Sequence, residues 1–155
     1  MMTKKKIKIY IAGPMSGYPG LNWGAFDRKE KELTDAGFDV VNPAKMDREL
    51  GVNPHSIGEY DYEEAARRDI DALFECDAIY LMAGFQFSKG ACWERALARK
   101  WGLIRYYEIP RHDHELERMT REYDADQLEL FSHLMDEPVM ADGYSSSDDI
   151  RLEEC

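Results

Sequence analysis

A chain of 155 residues with 44% hydrophobic and 12% aromatic side chains is long enough to bury one core and too short for two full-sized domains. Its net charge of −11 is uneven: residues 1–110 carry 16 basic and 17 acidic side chains, whereas residues 111–155 carry 4 and 14. That distribution argues against binding a nucleic-acid polymer, which needs clustered Lys and Arg, and no apolar run approaches the about 18 residues required to cross a bilayer.

The chain begins with a basic segment, Met1 to Lys6, but the apolar stretch behind it is short and interrupted by Lys8 and Tyr10. It lacks a signal peptide's continuous apolar core and reads as an early strand over residues 6–13, stopped by Gly13-Pro14. Residues 22–36 have a helical pattern, with Asn22 as a cap, Trp23, Phe26 and Leu33 near one face, and Gly37 at the C′ position. Residues 38–41 form a second strand ended by Asn42-Pro43, and residues 44–58 look loop-like. A helix is expected over 59–76, with Ala65, Ile70, Leu73 and Phe74 on its buried side. Residues 77–83 (DAIYLMA) are nearly continuous in apolar character, as a strand buried on both faces requires. A helix over 89–101, closed by Gly102, and a fourth strand over 103–107 follow. Residues 112–135 carry one more helical pattern, with Leu128, Phe131 and Leu134 on its apolar side, and the Ser- and Asp-rich residues 141–155 read as a solvated tail.

Strands alternating with helices predict an α/β fold: one doubly wound, flavodoxin- or Rossmann-like parallel sheet with helices on both faces, spanning residues 1–110, plus a C-terminal helical acidic extension over 111–155. Such sheets bind ligands outside the carboxyl ends of their strands, so loops 13–21, 42–58 and 84–90 are the expected ligand-binding segments. The three cysteines, Cys76, Cys92 and Cys155, have neither disulfide-framework nor zinc-site spacing, which suggests a reducing, cytoplasmic location. His55, His112, His114 and His133 show no zinc-ligand spacing either, and no metal or organic cofactor is expected.

Three segments carry chemistry. Tyr10-Ile11-Ala12-Gly13-Pro14-Met15-Ser16-Gly17 ends a strand in a glycine loop, which lets backbone approach a ligand and adds the Ser16 hydroxyl. It matches neither the dinucleotide fingerprint nor the P-loop, and taken alone is an ordinary turn. Ser88-Lys89-Gly90-Ala91-Cys92-Trp93-Glu94 begins a helix, so the Ser88 hydroxyl and the amides after it form an anion site. Gly90 keeps the first turn open. Glu94, flanked by Gly90, Leu97 and Ala98 on its face, either aims into a cleft or pairs with Lys89 or Arg95 at the surface; its place at the carboxyl edge of the preceding strand favours the cleft. The third segment, Arg67-Arg68-Asp69-Ile70-Asp71, offers Asp69 as a second carboxylate, while Arg67, Arg68 and Asp71 are expected on a solvated face. Asp77 reads as a structural residue at a strand's start.

In order and spacing these pieces resemble the nucleoside 2-deoxyribosyltransferase superfamily, above all its compact members found in phage genomes: Tyr10-Ile11-Ala12-Gly13-Pro14-Met15-Ser16, then Asp69, Asp77-Ala78-Ile79, and Ser88-x-Gly90-Ala91-x-x-Glu94 with Ala96 and Ala98 behind it. The resemblance covers residues 6–108. It implies that Glu94 is a nucleophile attacking the anomeric carbon to give a glycosyl-enzyme ester, the chemistry of retaining glycosidases applied to a C–N bond. It implies that Asp69 donates or relays the proton that helps the base depart, and that Tyr10, Gly13, Pro14, Met15, Ser16, Ser88 and Gly90 surround the substrate. Transferases of this superfamily have an aspartate six residues before the nucleophile, holding a free 5′-hydroxyl. Here that position is Ser88, as in the related 2′-deoxynucleoside 5′-monophosphate N-hydrolases, and a serine at a helix N-terminus suits a phosphate that an aspartate would repel. The expected partner is therefore a small nucleotide or nucleoside. No Arg follows the first glycine loop to complete a phosphate clamp. The resemblance also implies a homodimer or larger assembly, in which neighbouring subunits complete each pocket. Base exchange by a deoxyribosyltransferase, nucleotide binding without turnover, and an interaction module built on the acidic tail are the alternatives.

Overall fold

The computed structural model of the chain describes residues 5–56, 60–109 and 118–122. Its elements in chain order are β1 (Lys8–Ala12), α1 (Trp23–Asp35), β2 (Asp39–Val41), α2 (Pro43–Glu49), α3 (Tyr62–Phe74), β3 (Ala78–Leu81), α4 (Lys89–Lys100), β4 (Ile104–Ile109) and β5 (Arg118–Glu122), with short 3-10 turns at Pro19–Asn22 and Phe85–Phe87. The sheet order is β2-β1-β3-β4-β5. The first four strands run parallel and β5 pairs antiparallel with β4.

Alternation along the central strands sorts the core into two layers. Ile9, Ile11, Ala78, Tyr80 and Met82 pack with Phe26 and Leu33 of α1 and Ala44 of α2. Tyr10, Ala12, Ile79 and Leu81 face the other way, against Leu73 of α3 and Ala91 and Ala98 of α4. Both faces are thus covered, as a parallel sheet needs, and the layering is the expected doubly wound α/β fold. Each buried aliphatic side chain contributes about 1.5–3 kcal/mol relative to exposure. The same alternation decides function: Tyr10 and the inward faces of α3 and α4 share one side of the sheet.

Helix starts follow sequence signals. The Asp61 side chain accepts from Glu64 N at 3.0 Å, and Ser88 Oγ accepts from Ala91 N at 3.3 Å. Three local expectations are corrected. Residues 43–49 form α2 rather than loop: Asn42 Oδ1 accepts from Ala44 N at 2.9 Å and Pro43 occupies the first turn, so the Asn-Pro pair that ends β2 also begins a helix. Asn22 precedes α1 but does not cap it; it is left-handed (φ 58°) and its Nδ2 donates to Pro14 O at 2.9 Å, tying α1 to the glycine loop. Within the stretch expected as a C-terminal helix, residues 118–122 are strand, because an open β4 edge offers backbone partners that outweigh local helical periodicity. The rest of that stretch, with Leu128, Phe131 and Leu134, and the tail 141–155 lie outside the described residues. Among the described residues, no helix is long and apolar enough to cross a membrane.

Candidate active site

Strand order reverses between β1 and β3, and a cavity of about 510 Å³ opens there, beyond their carboxyl ends. The loop after β1 supplies Gly13, Pro14, Met15 and Ser16, the start of α4 supplies Ser88, Gly90 and Glu94, and α3 supplies Asp69. Eight of the nine residues singled out in the sequence therefore line one cavity. The ninth, Tyr10, is buried below it, and its hydroxyl and the Glu94 carboxyl influence each other's protonation.

Gly13 has a second reason to be glycine. A Cβ there would lie 2.5 Å from Met82 Cε and 3.0 Å from Met82 Cβ, so its first task is to let the loop after β1 close on the end of β3. Gly17 takes φ +83° and turns the loop. Gly90 differs: an added Cβ would meet nothing within 4 Å, so folding leaves the space beside it empty.

Glu94 as a residue is half-buried, but its Oε2 is shielded from solvent and has no hydrogen-bond partner. Burial pushes its pKa up to about 8; the neighbouring Tyr10 hydroxyl opposes the rise and the Asp69 charge adds to it. Burial likewise lifts Asp69 to about 6, against the pull of Arg68 and with the push of Asp47. Tyr10 is held well above its ordinary value, first by burial and then by the charges of Glu94 and Asp69. A carboxyl with an orphaned oxygen, facing a cavity, is a group prepared for an incoming partner.

Sequence reasoning missed the residues behind Asp69. Arg68, expected on a solvated face, has a side chain only 21% exposed, and it bridges Asp69 Oδ1 at 2.7 Å and Asp47 Oδ1 at 2.8 Å. Asp47 is fully buried and also accepts from the Tyr60 hydroxyl at 3.2 Å. The buried residues of α2, Pro43, Ala44 and Asp47, follow a helical i, i+1, i+4 spacing that is visible only once the segment is read as a helix. Lys89 joins Ser88 on the cavity wall, and Tyr18, Tyr62, Phe87 and Trp93 surround it while remaining 45–68% exposed. Asp77 accepts from Lys8 N at 3.0 Å, a structural bond as expected. Among the described residues, no group of His, Cys, Asp and Glu side chains is arranged to hold a metal ion.

The family model described as a domain of unknown function, DUF4406, matches residues 7–107. The chain belongs to the DUF4406 family. The DUF4406 match contains β1 through most of β4 and every cavity residue named above. The chain is also 36% identical over 69 residues to an uncharacterised protein of Ureaplasma parvum serovar 3, a match covering 38% of this chain and 41% of that one. It thus spans about two fifths of the length of this curated relative.

Proposed function

We propose that this DUF4406 protein cleaves the N-glycosidic bond of a (deoxy)nucleoside 5′-monophosphate, with Glu94 as nucleophile. The observation that carries the reading is the Glu94 carboxyl at the carboxyl end of the sheet, left with a solvent-shielded, unpartnered Oε2 beside an open cavity. The resemblance to the nucleoside 2-deoxyribosyltransferase superfamily supports it independently.

The chemistry follows from one proton. Glu94 binds it more tightly than Asp69, so at neutral pH the resting pair holds it on Glu94. Moving it to Asp69 makes the nucleophile and arms the acid in a single transfer. The Glu94 carboxylate then forms a bond to C1′ as the C1′–N bond breaks. Its electron pair goes to the base nitrogen, which takes the proton from Asp69. Water attacks C1′ of the ester, loses its proton to the pair, and frees Glu94. At the other end of the substrate, Ser88, Lys89 and the opening amides of α4 suit a phosphate: a hydroxyl, a cation and a helix N-terminus on one wall. Lys89 takes the place of the missing arginine clamp.

Base release from a panel of nucleotides and nucleosides, followed by chromatography, tests the proposal. Monophosphates are the expected substrates and Glu94→Ala the inactive variant; undiminished release by Glu94→Ala would refute the mechanism. The exposed aromatic rim gives a second reading its support, because Tyr62 and Trp93 offer stacking surface to an incoming base. New nucleoside formed on adding a second base would mark a transferase. The same rim supports a homodimer, expected from the resemblance, in which a partner covers the cavity mouth.

A further inference from the structure

Asp69 is held by more than its own helix. Arg68 directs both Nε (3.0 Å) and Nη2 (2.7 Å) to Asp69 Oδ1, and its Nη1 reaches Asp47 Oδ1 at 2.8 Å. Asp47, completely buried on α2, also takes the Tyr60 hydroxyl at 3.2 Å on each oxygen. Tyr60 and Asp69 both line the cavity. One buried carboxylate therefore secures two cavity-wall residues from beneath, one of them through a guanidinium.

We infer that Arg68, anchored by Asp47, is a positioning residue for the proposed reaction: its planar fork grips one oxygen of Asp69 and leaves Oδ2 for the substrate. The inference rests on the glycosidase reading. A fork of two donors on one oxygen fixes the rotation of the carboxyl as well as its place, and an acid acts efficiently only when aligned with the proton's destination. Arg68 does not line the cavity, so it acts through Asp69 rather than on the substrate.

The arrangement has an electrostatic signature that simple loosening lacks. Asp69 is faced by Arg68 on its own helix, Asp47 on α2, Tyr60 before α3, Tyr10 on β1 and Glu94 on α4. Of these, Arg68 lowers the Asp69 pKa and Asp47 raises it. Removing the cation therefore lifts the midpoint and removing the anion depresses it. A loosened, rehydrated site would move both variants the same way, down toward the ordinary carboxylate value.

Carbon-13 NMR titration of the Asp69 carboxyl in the intact protein reads this without requiring turnover. Arg68→Met is expected to raise the midpoint above the wild type's about 6, and Asp47→Asn to lower it. The acid limb of base release should shift in the same opposite directions. Arg68→Lys, which keeps charge but not the fork, should leave the midpoint near wild type and cut kcat at least about tenfold, part of the 10²–10⁴ an aligned acid supplies, with KM changed less than about threefold. A midpoint that falls or stays fixed in Arg68→Met overturns the inference. If that variant does not fold, an unchanged kcat in Arg68→Lys overturns it instead. Wild-type protein that releases no base, with the NMR shifts as expected, counts against the glycosidase and leaves the anchoring of Asp69 standing.

Discussion

Glu94 trades stability for a reactive position. Its folded pKa of about 8 stands above the ordinary 4.5, so between those values the native state binds more protons than the unfolded chain. Stability tied to this group is fully present below about pH 4.5 and is lost as pH rises through about 8. Glu94→Gln keeps the shape and removes the titration. Its melting temperature should match wild type near pH 5 and exceed it at pH 8.5, by the equivalent of a few kcal/mol; equal melting curves at both pH values would contradict the burial of the carboxyl. The proposed one-proton pair also sets the pH profile. Base release should rise as pH passes about 6, where the pair drops from two protons to one, and fall above about 8, where the last proton leaves. Ser88 separates substrate classes at this scale. Ser88→Asp retains an oxygen for Ala91 N but sets a negative charge beside Lys89. It should lower kcat/KM for monophosphates at least about tenfold while sparing free nucleosides. Equal losses on both would remove the phosphate from the reading.

Elements differ in how plainly the sequence declares them. The central strands are legible because residues 78–83 are apolar without a break, α3 because apolar residues recur at helical spacing over 59–76, and α4 because Ser88 opens an amphipathic run. The Ser88–Glu94 spacing places both residues on one helix start from sequence alone. What could not be read is what depends on distant partners. Asn42-Pro43 carries the signals of both a strand's end and a helix's beginning, and only the sheet's course shows that both apply. Asn22 resembles a cap locally, yet its amide is claimed by Pro14 O, which nothing in its neighbours announces. Arg68 follows Arg67 in an exposed-looking charge run, yet it is half-buried and paired with Asp47 of α2, a helix whose composition resembles a loop. Gly13 joins element to site: because Met82 fills the space a side chain would need, Gly13→Ala should destabilise the fold by about 1–3 kcal/mol, measured as a lower denaturant midpoint. Wild-type stability in that variant would show that the β1 loop sits farther from β3.

At the scale of the molecule, apolar surface is concentrated where the cavity opens. Of the seven large hydrophobic side chains exposed among the described residues, Tyr18, Tyr62, Phe87 and Trp93 line the cavity, while Phe74 and Trp101 meet as a tilted pair, ring centroids 5.1 Å apart, where α3 and α4 end. Aromatic groups gathered at a pocket mouth lose water most favourably when something apolar covers them. Four exposed aromatic side chains around one opening suit a second copy of the chain as the cover. The protein is therefore expected to sediment as a dimer at micromolar concentration. Replacing Phe87 and Trp93 together with Ser should shift it to monomer and reduce base release in parallel, because an uncovered cavity admits water around Glu94. The control is the pair Phe74→Ser and Trp101→Ser, which removes comparable apolar area away from the cavity and should leave the dimer intact. Dissociation by the control pair alone would move the interface to the far ends of α3 and α4 and leave each active site open to solvent.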